Sequence, residues 1–391
     1  MYKVLKLNQI SPKGLEIFPQ DRYEIASEFS HPDAILVRSH VLAPEDMPST
    51  LMAIARAGVG VNNIPVSACT ERGIPVFNTP GANANAVKEL VLAALVLTSR
   101  GVAAGIDFVK TLDTLSEPAE MTKIVEKSKK QFAGQELFGK TLGVVGLGKI
   151  GSLVAAMGLQ LGMKVIGFDP ALSIDAAWRL SNQIQRIENL PTLLSHADYV
   201  TLHLPFLAST KDLINDNNIR FLKSGSRLLN FARGGIVSSS AILTALDTGI
   251  LAGYATDFPE PALLGRDDVV LLPHLGASTA EAEETCAVMA ARQLRDFLEN
   301  GNIVNSVNFP TLILDRTSGS RLAVTNQNIP KMLGKITSLL ADSDINVNEM
   351  LNKSRDDIAY NLIDIDSPPP EELLTALQTV DGVINVRTVF A

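Results

Sequence analysis

Three glycines stand in the segment GLGKIG, at Gly146, Gly148 and Gly151. The run TLGVVG before them reads as a strand, and KIGSLVAAMGLQLG after them reads as a helix. That order suits a pyrophosphate. The first glycine permits a tight turn, the second lets the backbone approach the anion, and the third lets helix and strand pack closely. The helix then begins at Lys149 and Ile150, with its N-terminus toward the phosphates. Asp169 ends the next expected strand, KVIGFD. A carboxylate there accepts hydrogen bonds from the adenosine ribose and repels a 2′-phosphate, which favours NAD over NADP. The plainer reading is a Gly-rich turn beside a surface aspartate. The strand, glycines, helix, strand and acid occurring in sequence favour the nucleotide.

Three residues further along could do chemistry on a bound substrate. Arg233 lies in LLNFARGGIV, Glu260 in YATDFPEPALL and His274 in VVLLPHLGAST. Arg233 and His274 follow expected strands, and ligands of open α/β sheets sit beyond the carboxyl ends of strands. Oxidation of a secondary alcohol needs a base for the hydroxyl proton while hydride leaves. An imidazole suits that role, a neighbouring carboxylate would favour its charged form, and a guanidinium fork suits a substrate carboxylate and carbonyl. Taken singly, Arg233 reads as a surface ion-pair residue, Glu260 as a loop acid and His274 as a strand cap. His31, His40, His196 and His203 are read as structural, with His203 packed beside the nucleotide crevice.

These residues need a scaffold. The chain has 391 residues, which suggests two or three domains. Hydrophobic residues make up 46% and charged residues 19%, enough apolar material for several cores. A net charge of −8 disfavours a uniformly basic nucleic-acid binder. The two cysteines, Cys69 and Cys286, offer neither a disulfide framework nor metal-type spacing, so no metal site is expected and the reducing cytoplasm is the default setting. The N-terminal run MYKVLKLNQISPKG lacks the character of a signal peptide. The apolar run at 90–97 is too short to cross a membrane and reads as a buried helix.

Short apolar runs at 4–7, 23–26, 34–37, 51–55 and 75–77 read as strands of a parallel α/β sheet. A long helix is expected over 86–106, followed by a charged, solvated helix over 117–130. Six further strands, at 141–146, 164–169, 198–204, 227–231, 251–257 and 269–272, match a doubly wound dinucleotide-binding domain. Residues 281–299 form a strong amphipathic helix, and Pro with a Thr-Ser-Gly-Ser run makes 308–320 read as a linker. Residues 321–391 read as strand, helix, strand, strand, helix, strand, the pattern of a ferredoxin-like α+β module.

Over residues 1–307, GLGKIG, NFARGGIV, DFPEP and PHLGAST together resemble the D-isomer-specific 2-hydroxyacid dehydrogenase family, and 321–391 resembles an ACT module. The resemblance implies a flavodoxin-like substrate domain (1–90 and 282–307), a Rossmann-type NAD domain (91–281), a linker (308–320) and a regulatory module (321–391). It implies that Arg233, Glu260 and His274 are catalytic, that Gly146, Gly148, Lys149, Ile150, Gly151, Asp169 and Asp257 meet NAD, and that substrate lies in the interdomain cleft. Arg38 in ILVRSHVL and Arg56 in ARAGVGVNNI match arginines that meet a substrate phosphate, with Val59, Gly60 and Asn83 lining the substrate and cofactor crevices. The implied reaction is oxidation of 3-phospho-D-glycerate to 3-phosphooxypyruvate, opening phosphorylated serine biosynthesis. Asn326, Asn328 and Asn346 match effector positions, which implies allosteric serine, and a homo-oligomer is expected.

Two departures from the family pattern stand out. Asp257, Phe258, Pro259 and Glu260 are consecutive where the family commonly has two more residues, and Lys331 follows Pro330 where it usually has glycine. Two other readings share the scaffold: a glyoxylate or hydroxypyruvate reductase, and an NAD-sensing corepressor-like binding protein. Neither requires the phosphate arginines or the terminal module.

Overall fold

The computed structural model describes residues 1–317 and 319–390. Ser318 of the expected linker and Ala391 of the expected terminal module lie outside the described residues. Chain contacts divide the molecule into two units. One joins Met1–Asn83 with the chain from Ala280 onward, and the other is Ala84–Thr279.

The first unit contains a parallel sheet of β1 (Tyr2–Leu7), β2 (Tyr23–Ala26), β3 (Ala34–Val37), β4 (Ala53–Arg56) and β5 (Val76–Phe77). Its order is β2-β1-β3-β4-β5, the flavodoxin-like arrangement. Every residue of β3 is buried, as expected for a central parallel strand covered on both faces. The helix Ala280–Asn300 packs Ala287, Ala290, Ala291, Leu294 and Phe297 into this core. Small residues allow a close approach: a Cβ on Gly14 would come within 2.7 Å of Ala287.

The second unit holds a seven-stranded parallel sheet: β6 (Thr141–Val145), β7 (Lys164–Phe168), β8 (Gln185–Arg186), β9 (Tyr199–Leu202), β10 (Ser226–Asn230), β11 (Leu251–Thr256) and β12 (Val269–Leu271). The order β12-β11-β10-β9-β6-β7-β8 reverses direction beside β6, so a topological switch point falls at the end of that strand. The six expected strands are joined by β8, too short and polar to be read as a strand beforehand.

The helix expected over 86–106 is two helices, Ala84–Ser99 and Val102–Lys110, bent by 73°. The break has non-local causes. Arg227 Nε donates to the Thr98 carbonyl at 2.5 Å, and the Gln135 N–H takes the Ser99 carbonyl at 3.0 Å. Gly101 admits Phe132, whose Cα would be 3.1 Å from a Cβ there. The charged segment forms the helix Pro118–Ser128, which buries none of its residues. Among the described residues no single helix is long and apolar enough to cross a membrane.

The C-terminal sheet belongs to the first unit. Its strands are β13 (Ser320–Gln327), β14 (Val347–Arg355), β15 (Ile358–Ile365) and β16 (Val383–Phe390), antiparallel in the order β14-β15-β13-β16. The period-two alternation of strands sends its side chains into two cores. Leu322, Val324, Ile363 and Ile365 pack on the helices Met332–Asp342 and Glu371–Gln378. Ala323, Tyr360, Leu362 and Val389 join Phe297, Phe309 and Leu312 of the first core.

The connection at 308–320 is therefore packed. Phe309, Leu312 and Leu314 are buried, and Ile303 pairs with Leu312. Arg321 and Asp364 form a fully buried ion pair at 2.5 Å. Arg321 also donates to the carbonyls of Asn300, Leu314 and Asp315 at 2.7–2.9 Å, so this buried guanidinium is saturated with acceptors.

Candidate active site

At the end of β6 the three glycines meet three different demands. Gly146 has φ +89°, where a side chain is strained, and a Cβ would lie 2.5 Å from the His203 carbonyl oxygen. A Cβ on Gly151 would overlap the Gly146 carbonyl oxygen. Gly148 caps the helix Lys149–Gln160, and a Cβ there would meet nothing within 4 Å. Gly146 and Gly151 are thus explained by the fold, whereas the space over Gly148 fits a pyrophosphate approaching the N–H groups of Lys149 and Ile150.

Asp169 follows β7 and leans into the same loop. Its Oδ2 accepts the Leu147 N–H at 2.8 Å and its Oδ1 the Ala171 N–H at 2.9 Å. The carboxylate is held against the glycine loop by two backbone donors. His203, just past β9, is half-buried with its Nδ1 turned inward, and its backbone N–H bonds the Val145 carbonyl at 2.8 Å. Its Nε2 pairs with the Thr201 hydroxyl at 2.9 Å, while Nδ1 has no partner. Burial pulls its pKa down to about 3, so the ring is neutral beside the nucleotide loop.

Arg233 sits in the turn after β10. Asn230 shapes that turn, its Oδ1 accepting the Ala232 N–H at 3.2 Å and its Nδ2 donating to the Arg233 carbonyl at 3.0 Å. The guanidinium donates to the Ala232 carbonyl at 2.6 Å and makes no ion pair among the described residues. Partial burial lowers its pKa from the ordinary arginine value. A half-buried cation without a counter-charge is a place for an anion.

His274 follows β12 with φ +56°, an uncommon backbone for a residue with a Cβ. The loop is clamped by Asp257, which is 2% exposed. The Asp257 carbonyl accepts the His274 N–H at 3.1 Å, and its carboxylate accepts the N–H groups of Leu275 and Gly276 at 2.7 Å each. Both carboxylate oxygens are thus engaged in holding the histidine loop, a job sequence reading did not give Asp257. The imidazole is exposed and packs on the Phe258 ring at 5.0 Å between centroids. Glu260 accepts a hydrogen bond from Ser239, at the start of the helix Ser239–Asp247, and not from His274.

In the first unit, Arg56 ends β4 and is paired in register with Val37, the residue before Arg38. Arg56 Nε donates to the Arg38 carbonyl at 3.0 Å. Its guanidinium lies over the Gly58–Gly60 turn so closely that a Cβ on Gly58 would strike Nη1. The Val59 carbonyl accepts from Asn78 Nδ2 at 2.7 Å, and Oδ1 of Asn83 is buried without a partner. Arg38 Nη2 reaches Oε1 of Glu283 at 2.5 Å.

The three asparagines of the terminal module are engaged locally. Asn326, 2% exposed, accepts from Asn361 at 2.7 Å and donates to the Gln327 carbonyl at 2.6 Å. Asn328 donates to the Asp356 carbonyl at 3.0 Å, and exposed Asn346 faces Asn348 at 3.4 Å. Residues missed by sequence reading are Asn230, Ser239, Phe258 and Glu283. Asn230, two residues before the turn nitrogen it accepts, carried a readable Asx-turn signal; the others are contacts only folding creates.

Comparison with known proteins identifies the family. Residues 95–276 match the family model of the D-isomer specific 2-hydroxyacid dehydrogenase, NAD binding domain. The chain is 35% identical over 367 residues to D-3-phosphoglycerate dehydrogenase of Haemophilus influenzae, covering 90% of this chain and 85% of that one. It is 33% identical over 370 residues to the Escherichia coli K12 enzyme of the same name, covering 90% and 86%. The NAD+-bound 3-phosphoglycerate dehydrogenase of Entamoeba histolytica shares the fold, with TM-score 0.62, 24% identity, and coverage of 80% of this chain and 99% of that one. The chain belongs to the D-isomer-specific 2-hydroxyacid dehydrogenase family, alongside the D-3-phosphoglycerate dehydrogenases.

Proposed function

We propose that this protein oxidises 3-phospho-D-glycerate to 3-phosphooxypyruvate with NAD, the first step of phosphorylated serine biosynthesis. The observation that carries the substrate is Arg38 and Arg56 at the carboxyl ends of neighbouring strands, because a small phosphorylated acid needs more than one local cation on a chain of net charge −8.

Arg233 holds the substrate carboxylate and carbonyl oxygen with its uncompensated guanidinium. His274 takes the hydroxyl proton on its imidazole, and Asp257 fixes the loop that aims it. NAD, when bound, accepts the hydride, so the alcohol is oxidised to the ketone as NADH forms. Glu260 orients His274 in this reading once its bond to Ser239 is exchanged. Arg56 and Arg38 take the phosphate, with the Val59–Gly60 backbone and Asn83 lining the pocket.

The terminal module, with its βαββαβ order, is an ACT-like regulatory domain in this reading, and serine is its candidate effector. Self-association is supported by the helix Val102–Lys110, which buries none of its residues and exposes Val102, Ile106 and Val109 on one stripe. Two free, buried thiols support a reducing, cytoplasmic setting.

The test is NADH formation with a panel of phosphorylated and unphosphorylated 2-hydroxy acids, using NAD and NADP, with and without serine. The phosphorylated acid with NAD should give the highest kcat/KM. Preference for an unphosphorylated acid would overturn the substrate, and preference for NADP would overturn the role of Asp169.

A further inference from the structure

Arg38 does not wait for its anion unpaired. Its partner, Glu283, lies in the first turn of the helix Ala280–Asn300. Both side chains keep about two-fifths of their surface exposed, 39% and 42%, so the pair can open without disturbing the core and water screens it. The glutamate sits at a helix N-terminus, where a negative charge is favoured whether or not Arg38 is bound to it.

We infer that Glu283 is an internal competitor for the substrate phosphate at Arg38. In the free protein it neutralises Arg38, and an incoming anion must displace it. A phosphate monoester carries about −1.5 to −2 charges near neutral pH. It gains more from the guanidinium than a monoanionic carboxylate does, so it wins the exchange. A substrate tail with one negative charge gains little by replacing Glu283, and an uncharged tail cannot replace it. Glu283 thereby sets a threshold that any anion at Arg38 must exceed, and it raises the KM of the phosphorylated acid without touching that of an acid that does not use Arg38.

The inference rests on Arg38 being a phosphate ligand, so its test separates the two. Steady-state KM and kcat are measured for phosphorylated and unphosphorylated 2-hydroxy acids with wild type, Glu283→Gln, Arg38→Ala and the double variant. Glu283→Gln should lower KM for the phosphorylated acid roughly two- to fivefold, the range an exposed ion pair supplies. It should leave KM for the unphosphorylated acid in place, and inorganic phosphate should become a tighter competitive inhibitor. On the Arg38→Ala background the substitution should have no effect. A raised KM in Glu283→Gln, or the same decrease with Arg38 absent, would overturn the competitor role. If Arg38→Ala raised KM equally for both acids, the phosphate reading of Arg38 would fall, and this inference with it.

Discussion

The nucleotide loop and the arginine pair are both built for anions, yet they solve the problem differently. The loop is local: its glycines lie on one turn, its donors are backbone N–H groups, and their dipoles need no counter-charge when no ligand is bound. The arginine pair draws on two strands, and Arg38 has recruited a carboxylate from a helix far along the chain. A backbone site stands ready. A side-chain site of full charges finds an internal partner, and its ligand must compete. Arg233 is the intermediate case, a half-buried cation that among the described residues pairs with a carbonyl and no carboxylate.

The contrast can be broken most severely at His274. His274→Ala should lower turnover by about 10³-fold, the scale of a general base, while NAD titration gives near-normal affinity. Near-normal turnover would remove the imidazole from the chemistry. Next in size, Gly148→Ala tests whether the loop works through open space alone. Its Cβ meets no protein atom, so the melting temperature should hold while NAD affinity falls roughly tenfold or more. Unchanged NAD affinity would place the pyrophosphate elsewhere.

A pH measurement sharpens the contrast further, because His203 lies beside the loop and is held neutral. Its folded pKa of about 3 lies below the unfolded value of about 6.5. Between these values the unfolded chain binds the extra proton, so stability is full above the upper value and falls with acidification toward the lower one. The loss should approach ~1.4 kcal/mol per pH unit in that window, and His203→Gln should flatten it. Equal slopes for the two proteins would mean the ring is solvated.

The smallest effect is expected at Lys331, which has φ +75° before the helix Met332–Asp342. Left-handed backbone costs a side chain ~1–2 kcal/mol, partly offset by the greater unfolded-state entropy of glycine. Lys331→Gly should raise the melting temperature by a few degrees at most, and a decrease would mean the lysine side chain supplies contacts that outweigh the strain.

What could be read beforehand follows the same division between local and distant. GLGKIG, the alternation of strands and helices, and the βαββαβ order of the terminal module are sequence-local patterns, and the elements lie where they were expected. The single helix over 86–106 was misread because its break is enforced by Arg227 and Phe132, residues no nearby pattern announces. The segment 308–320 carried turn-forming residues that read as a linker, while Phe309, Leu312 and Leu314 pack into a core whose other half is a sheet not yet formed in a linear reading.

The sequence by itself determined which chemical groups are present and which short stretches carry them. Backbone conformation, turn chemistry and hydrophobic period act over a few residues and can be read in order. Only the tertiary structure decided partners: Asp257 clamping the loop of His274, Ser239 on Glu260, Glu283 on Arg38, and Arg321 sealed against Asp364. Those pairings set charge and orientation, and they depend on distances through space that chain separation does not encode.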